Sequence, residues 1–255
     1  MAFTVALAGK GGTGKTTVSS LTIKYLKAKG KTPILAVDAD SNSCLNIALG
    51  LDVTTTIGRI REESLNTVRS ANERPGGMSV EQYFEYQVHQ AIIESDGIDL
   101  IVMGRPEGPG CYCAANNIIR KYTDLLSKKY PYVVIDNEAG MEHLSRRTTN
   151  QVDLLILVSD ASVKGIVTIK RIKELIDEIG LDVKKIVPIV NMATDKQFLS
   201  LSKKAKYYGF EDIRFIPKDK NISSFDMDSK PLIHLPDNSK SFVALKEILD
   251  SFNLP

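Results

Sequence analysis

Short apolar runs alternate with amphipathic stretches along most of the chain. Several runs, such as Val133-Val134-Ile135, are apolar throughout and do not alternate with polar residues. Strands of this kind are covered by helices on both faces, as in parallel sheets. The pattern predicts strands at Phe3–Ala8, Pro33–Asp38, Asp99–Met103, Tyr132–Asp136, Asp153–Val158, Lys185–Val190 and Ile213–Ile216.

Between these runs, apolar residues recur every three to four positions, which predicts helices. The clearest case is Val163–Ile179, and the others are Thr17–Lys29, Asn116–Lys129, Gln197–Tyr208 and Ser241–Phe252. The stretch 54–98 has no clear period, and we expect a loop-rich insertion there. Strands and helices in alternation predict an α/β fold with a mostly parallel sheet, in a single domain over residues 1–255.

The first predicted strand runs into a glycine-rich loop. The loop reads Gly9-Lys10-Gly11-Gly12-Thr13-Gly14-Lys15-Thr16, which matches G-x-x-x-x-G-K-[ST]. Glycines let backbone N–H groups point at phosphate oxygens, and the following helix adds its positive N-terminal end. Lys15 would reach the β- and γ-phosphates, and the Thr16 hydroxyl would bind Mg²⁺. A simple glycine-rich turn would explain the glycines but not the Lys-Thr pair, so the loop predicts a nucleotide site.

Two further predicted strands end in carboxylates. One ends at Asp38 and is followed by Asp40, and the other ends at Asp136, four residues before Gly140. Open α/β sheets bind ligands at the carboxyl ends of their strands, which places these groups at the edge that carries the loop. A single Asp after a strand is more often a helix cap or turn residue. Two such carboxylates following a glycine-rich loop of this kind favour a site that holds Mg²⁺ and in which the Gly140 N–H contacts the γ-phosphate.

Composition adds mainly exclusions. The 255 residues include 33 basic and 31 acidic side chains, so the total charge gives no reason to expect nucleic acid or an anionic membrane as a partner. We find no N-terminal signal sequence and no apolar run of about 18 residues. With only three cysteines, we expect a cytoplasmic protein with reduced thiols. One of them, Cys44, precedes apolar residues and is expected to pack in the core.

The loop, with its additional Lys10, resembles the deviant Walker A motif K-G-G-x-G-K-T of the Mrp/MinD family of P-loop ATPases. The similarity extends through the whole chain, over Asp38/Asp40, Asp136/Gly140, Asn191 and the Ile216-Pro217-Lys218-Asp219 segment. One departure is Ser41, which follows Asp40 where many members have Pro.

That resemblance implies an ATPase that uses ATP and Mg²⁺, releases ADP and works as an ATP-dependent homodimer. Lys10 would contact the nucleotide of the partner chain and Asp40 would position the attacking water, with Lys15 completing the catalytic set. Asp38 and Asp136 would hold Mg²⁺ together with Thr16. The implied nucleotide contacts are Gly9, Gly11, Gly12, Thr13, Gly14, Lys15, Thr16, Thr17 and Gly140 for the phosphates, and Asn191, Met192 and Pro217 for the adenine. Judged by itself, Lys10 is equally well explained as a solvated loop lysine.

A second motif distinguishes this chain within the family. Cys111 and Cys113 form a C-x-C pair after Gly108-Pro109-Gly110, near the start of a predicted helix, and helix N-termini stabilise thiolates. Thiolates are good ligands for Zn²⁺, Ni²⁺ or Cu⁺. Two cysteines leave a four-coordinate site incomplete, but the same pair from each chain of a two-fold dimer would supply four sulfurs. The alternatives are two small buried residues without a metal, and a strained disulfide, which a reducing compartment disfavours.

The combination resembles the nickel-insertion accessory ATPases of carbon monoxide dehydrogenase and acetyl-CoA synthase (the CooC type). Besides the cysteine pair, the similar segments are Asp136–Arg147, which corresponds to the second switch region, and Asp40–Cys44. The resemblance implies that Ni²⁺, or Zn²⁺, binds at Cys111 and Cys113 and is delivered to the apoprotein of one of these client enzymes.

Other members of the wider family suggest different functions. A partition-type ATPase would need a basic surface for DNA, for which Lys196–Lys206 is the best candidate, although an exposed lysine-rich helix is usually just solvated. A membrane-cycling ATPase would need an amphipathic C-terminal helix. The apolar stripe of Ser241–Phe252 fits that description, but it fits a helix that covers the sheet as well. An iron–sulfur reductase would need two well-separated cysteines per chain, which Cys111 and Cys113 are not.

Overall fold

In the computed structural model, which describes residues 2–69, 77–104, 129–139 and 151–255, eight strands form one sheet. Its strands are β1 (Phe3–Gly9), β2 (Ile34–Ala39), β3 (Ile93–Ser95), β4 (Ile98–Val102), β5 (Tyr132–Asn137), β7 (Leu154–Ser159), β9 (Ile186–Ala193) and β10 (Arg214–Pro217). Their order across the sheet is β10-β9-β7-β1-β5-β2-β4-β3. Neighbouring strands are parallel except for β3, which pairs antiparallel with β4. Strands β6 (Gln151–Val152) and β8 (Asp182–Val183) form a separate two-stranded pair.

Helices cover both faces of this sheet, each over its own apolar layer. The helices in the described ranges are α1 (Lys15–Ala28), α2 (Leu45–Leu49), α3 (Ile57–Arg69), α4 (Val80–Gln90), α5 (Val163–Ile179), α6 (Asp195–Tyr207), α7 (Lys220–Met227) and α8 (Lys240–Asp250). Helices α1, α2 and α8 pack on one face, and α3 to α6 pack on the other. The predicted α/β architecture with a mostly parallel sheet is confirmed, whereas the single domain stays a prediction.

The expectation of a loop-rich stretch at 54–98 is wrong for most of it. Helices α3 and α4 occupy much of this stretch, and Ile57, Ile60 and Val88 are buried against the sheet. Helix α4 begins with a capping box in which the Ser79 hydroxyl accepts the Gln82 N–H and the Gln82 side chain accepts the Ser79 N–H. The predicted helix at 116–129 lies almost entirely outside the described residues.

The C-terminal helix α8 covers the sheet. Its apolar stripe, made of Phe242, Leu245, Ile248 and Leu249, is buried in the core beside α1. These apolar side chains are therefore not available to bind a membrane, and they no longer support the membrane-cycling alternative. In the portion of the chain that the structure describes, no helix has the length and apolar character to cross a membrane.

Candidate nucleotide site

The glycine-rich loop connects the central strand β1 to helix α1 and is shaped by close contacts with its neighbours. A Cβ atom on Gly9 would lie 2.2 Å from the carbonyl oxygen of Val158, the residue paired with Gly9 on β7. Gly14 has a φ of 83°, in the left-handed region, and directly precedes α1. Within the loop, the Thr13 hydroxyl donates to the Lys10 carbonyl at 2.9 Å. The loop therefore turns tightly and leads directly into a helix N-terminus, which is the geometry that anion binding requires.

Lys15 lies inside this loop with only 7% of its surface exposed. Its Nζ donates to the Lys10 carbonyl at 3.3 Å. Burial lowers the pKa of Lys15, and the nearby Asp136, Asp40 and Glu138 carboxylates act in the opposite direction. Lys10, by contrast, is exposed at the surface of the loop, where it could meet a partner chain or solvent equally well.

Asp38 and Asp136 lie side by side, because they are register partners on β2 and β5. Asp38 is fully buried and accepts the N–H of Leu45 at 2.9 Å and the N–H of Asp40 at 3.1 Å. Burial raises the pKa of Asp38 to about 7, and the neighbouring Asp136 charge adds to this rise.

Asp136 is equally enclosed, with 1% of its surface exposed. It accepts the Ser19 hydroxyl at 2.9 Å and a hydrogen bond from Thr16, both on α1. Burial nevertheless raises the pKa of Asp136. The structure thus confirms that the strand-end carboxylates and the loop meet at one edge of the sheet. Two adjacent buried carboxylates that resist ionisation form a site where a cation would be strongly favoured.

The residues present fit Mg²⁺, which prefers oxygen ligands and usually retains waters and substrate phosphates in its shell. Thr16 supplies such an oxygen at the start of α1, and Asp38 and Asp136 supply theirs at the ends of β2 and β5. In the described ranges there is no group of three or more His, Cys, Asp and Glu side chains that could hold a metal ion by itself. A metal bound here would therefore take part of its ligands from phosphate and water.

Asp40 lies just beyond β2 in a tight turn. Its Oδ1 accepts the Asn42 N–H at 2.8 Å, and its carbonyl accepts the Ser43 N–H at 3.2 Å. Ser41, the residue that departs from the family pattern, donates its hydroxyl to Glu138 Oε1 at 3.2 Å. The turn after β2 is therefore connected directly to the segment after β5.

A cavity of about 450 Å³ opens beside the first residues of α1, between α2 and α7. Its lining is mainly apolar and includes Ile47, Ala48, Ile222, Phe225 and Leu232, with Thr16 and Thr17 at the α1 end. We did not foresee this cavity because α7 was not predicted. The available signal was Asp219, whose carboxylate caps α7 by accepting the Asn221 N–H at 2.9 Å.

Cys44 also lines this cavity and is exposed, so the expectation that it packs in the core is wrong. It directly precedes α2, and the buried positions of that helix are occupied by Leu45, Ala48 and Leu49. Although the residue is exposed, partial desolvation of its thiol raises the pKa of Cys44, and the carboxylates of Asp38, Asp40 and Asp136 add to the effect.

The residues expected at the adenine lie on the neighbouring strands β9 and β10. Asn191 is buried, and its Nδ2 donates to the Thr13 carbonyl of the loop at 2.9 Å. Met192 is 41% exposed, with a φ of 57°. Pro217 ends β10 beside Ala193, just before α7 and its cavity. The expected adenine contacts themselves stay predictions.

Asp219 connects α7, which forms one wall of the cavity, to the residues at the start of α8. Besides capping α7, its carboxylate accepts the Ser241 N–H at 2.9 Å, the Ser241 hydroxyl at 3.1 Å and the Ser239 hydroxyl. Burial works against ionisation, but these hydrogen bonds outweigh it and hold the pKa of Asp219 below its ordinary value. The family resemblance includes the Pro217-Lys218-Asp219 segment, but the sequence does not indicate that Asp219 also binds the residues at the start of α8. The remaining predicted site residues, Cys111, Cys113 and Gly140, lie outside the described residues.

Comparison with known proteins agrees with this geometry. Residues 4–232 match the model of the CobQ/CobB/MinD/ParA nucleotide binding domain. An ATP-binding protein of Methanocaldococcus jannaschii is 42% identical over 246 residues, which are 96% of this chain and 96% of that protein. The carbon monoxide dehydrogenase accessory protein CooC of Rhodospirillum rubrum is 30% identical over 190 residues, covering 69% of this chain and 70% of that protein. The fold is similar to that of the cell division ATPase MinD of Pyrococcus furiosus, with a TM-score of 0.67, 20% identity and coverage of 99% of this chain and 100% of that one.

Proposed function

The chain belongs to the CobQ/CobB/MinD/ParA family of nucleotide-binding domains and is a P-loop ATPase, and from this premise we propose that it delivers nickel to a client metalloenzyme. The observation that carries the finer proposal is the C-x-C pair Cys111/Cys113 in a chain that is 30% identical to a carbon monoxide dehydrogenase accessory protein. The client would be carbon monoxide dehydrogenase or acetyl-CoA synthase.

The phosphate end of the site supports the ATPase part of the proposal. We assign the loop Gly9–Thr16, with Thr17, to the phosphates of ATP. Lys15 is buried in the loop, where its Nζ donates to the Lys10 carbonyl and the charges of three carboxylates act on it. Its ammonium group would bind the phosphates of a nucleotide held in this loop. Thr16, Asp38 and Asp136 would hold Mg²⁺, whose bound form neutralises phosphate charge during hydrolysis.

Asp40 is assigned to position the attacking water. Its carboxylate is on the turn after β2, and this turn contacts the segment after β5 through the Ser41–Glu138 hydrogen bond. If one of these segments moves when the γ-phosphate leaves, this hydrogen bond would transmit the movement to the other segment. Lys10, exposed on the loop, would contact the nucleotide of a partner chain in an ATP-bound homodimer.

The apolar cavity beside α1 supports a place for the nucleoside. It adjoins Thr16 and Thr17, and one of its walls is α7, which begins three residues after Pro217. Apolar walls with a few polar groups suit a purine base and its ribose. We assign the adenosine of ATP to this cavity, and Met192 and Pro217 remain the predicted contacts of its adenine.

The metal would be cargo carried by the ATPase. A C-x-C pair from each chain of a homodimer would place four thiolates around one Ni²⁺, or one Zn²⁺, on the two-fold axis. A dimer that changes geometry on ATP hydrolysis would hold the metal in one state and loosen it in the other. This coupling is what would make the protein a loading device for a client apoenzyme.

The test is an equilibrium titration of nickel into the metal-free protein, with its mass in solution measured in parallel. One tightly bound Ni²⁺ per two chains is expected, and it should be lost in the Cys111→Ser/Cys113→Ser variant. Cys44→Ser is the matched control, because it removes an exposed thiol beside the nucleotide cavity and should keep nickel binding intact. Nickel binding that persists in the Cys111→Ser/Cys113→Ser variant would refute the proposal. So would a nickel affinity and a dimerisation that do not change when ATP is added.

A partition-type function is the second candidate, and one surface favours it. Helix α6 exposes Lys196, Lys203, Lys204 and Lys206 on the side away from the core. Within the described residues, none of these lysines forms an ion pair. A DNA mobility shift that weakens steeply with salt, and disappears when these lysines are changed to Gln, would support DNA as the cargo. No shift at low salt would exclude this alternative.

A further inference from the structure

The side chain of Asn191 is hydrogen-bonded both to the phosphate loop and to its own strand. Its Nδ2 donates to the Thr13 carbonyl at 2.9 Å, and its Oδ1 accepts the Met192 N–H at 2.9 Å. Only 4% of the residue is exposed. Because one amide atom contacts a carbonyl and the other an N–H group, the orientation of the amide is determined by its partners.

The loop is shaped to receive this amide. A Cβ atom on Gly14 would lie 2.4 Å from Asn191 Nδ2, so the glycine that precedes α1 also leaves the space in which the amide lies. Met192, which donates to the amide oxygen, has a φ of 57°, a conformation that residues with side chains rarely adopt. Two unusual backbone positions, one in the glycine-rich loop and one on β9, thus accommodate one hydrogen-bonded contact.

We propose that Asn191 is a positioning residue of the phosphate loop, which holds the Thr13 peptide so that the loop N–H groups stay directed at phosphate. The contact links β9 to the loop after β1 across 178 residues of sequence. This role differs from the adenine contact expected from the family resemblance, because it acts on every phosphate ligand regardless of its base. It depends on nucleotide binding alone, so a negative nickel titration leaves it unaffected.

The distinguishing experiment uses ligands that share phosphates but differ in the base. Dissociation constants for Mg·ATP, Mg·GTP and inorganic triphosphate are measured by competition with a fluorescent ATP analogue. Asn191→Leu keeps the approximate side-chain shape but has neither donor nor acceptor, so it leaves both the buried Thr13 carbonyl and the Met192 N–H without the partner that Asn191 supplied. We expect all three ligands to weaken in the same proportion, by about tenfold.

Gln197→Leu is the matched control, since it makes the same chemical change at a side chain that donates to the Ala161 carbonyl and does not contact the phosphate loop. Affinity for the three ligands should be unchanged in this variant. Weaker ATP binding in Asn191→Leu with unchanged triphosphate binding would show that Asn191 reads the base, and would overturn the proposal. Unchanged binding of all three ligands would overturn it as well.

Loss of a buried hydrogen bond also lowers stability, so a second measurement is made on the nucleotide-free protein. Hydrogen exchange of the amides in residues 10–14 should be faster in Asn191→Leu and in Asn191→Ala than in the unmodified protein. Exchange should stay unchanged in Gln197→Leu. Loop amides that exchange at the same rate in all variants would contradict a positioning role even if one variant binds nucleotide poorly.

Discussion

Buried aspartates stand at both ends of the candidate nucleotide site, and their environments are opposite. At the phosphate end, Asp38 and Asp136 lie side by side, and burial raises the pKa of both. At the end proposed for the nucleoside, Asp219 is held by the backbone N–H groups of Asn221 and Ser241 and by two serine hydroxyls. These donors overcome the effect of burial, and the pKa of Asp219 is lowered.

The difference separates a functional carboxylate from a structural one. A buried carboxylate with enough donors contributes to stability, because its charge is compensated inside the protein. Where burial raises the pKa of a carboxylate, its ionised form lowers the stability of the protein unless a bound cation compensates the charge. We therefore interpret the phosphate end as prepared for Mg²⁺ and phosphate, and Asp219 as an anchor of the wall formed by α7.

The largest expected effect is on catalysis at the phosphate end. Asp40→Ala should keep Mg·ATP binding but lower kcat by about a hundredfold or more, because the residue assigned to the attacking water is lost. The ATP-bound dimer should accumulate as a result. Phosphate release and mass in solution measure the two effects. Asp52→Ala, an exposed carboxylate in the next loop, serves as control, and normal hydrolysis in Asp40→Ala would disprove the assigned role.

Lys15→Ala should abolish nucleotide binding at ordinary concentrations. The change removes the buried ammonium that is proposed to bind the phosphates, so we expect affinity for Mg·ATP to fall by about a hundredfold or more. Isothermal titration calorimetry is the measurement. Lys27→Ala, a change near the other end of α1, should bind like the unmodified protein; retained affinity in Lys15→Ala would mean that the phosphates bind elsewhere.

At the nucleoside end, Asp219→Asn should act first on stability. A single amide oxygen cannot accept all the hydrogen bonds that the carboxylate accepts, so the free energy of unfolding should fall by about 2 kcal/mol near neutral pH. Since the pKa of Asp219 is lower in the folded state, its stabilisation is present above the ordinary Asp pKa and is lost as the pH falls through the folded value. The two proteins should therefore converge in acid.

Chemical denaturation at several pH values tests this directly. A variant that loses kcat while keeping its stability would show that Asp219 belongs to the chemistry, and the contrast between the two ends would fail.

The smallest effect concerns the pH dependence caused by Asp38. Its pKa in the folded protein, about 7, exceeds the ordinary Asp value, so its stabilising contribution is present in acid and is lost as the pH rises through 7. Without Mg²⁺ and nucleotide, the unmodified protein should lose about 1 kcal/mol of stability between pH 6 and 8 from this group. Asp38→Asn should show a flatter profile. Equal slopes in both proteins would mean that Asp38 ionises normally.

Much of the fold could be predicted from local pattern. Helix α5 has the predicted bounds, and the seven predicted strands of the main sheet all occur, because strands buried on both faces must be apolar throughout. Strand β3, which forms a hairpin with the predicted strand β4, was missed, although the Asp96-Gly97 turn between them is a recognisable signal. Helix α7 was missed for a physical reason: none of its residues is fully buried, so no apolar period is imposed on its sequence.

The glycine-rich loop, the strand-end carboxylates and the family could all be identified from the linear pattern, because backbone freedom, charge and apolar period are properties of neighbouring residues. Tertiary structure alone decided that Asp38 and Asp136 share one register position, that Asn191 reaches the Thr13 carbonyl, and that Asp219 compensates its charge with two distant serines. These contacts depend on the order of strands in the sheet and on the packing of helices against it. A linear pattern does not specify either, since every parallel strand ends at the same edge whichever strand lies beside it.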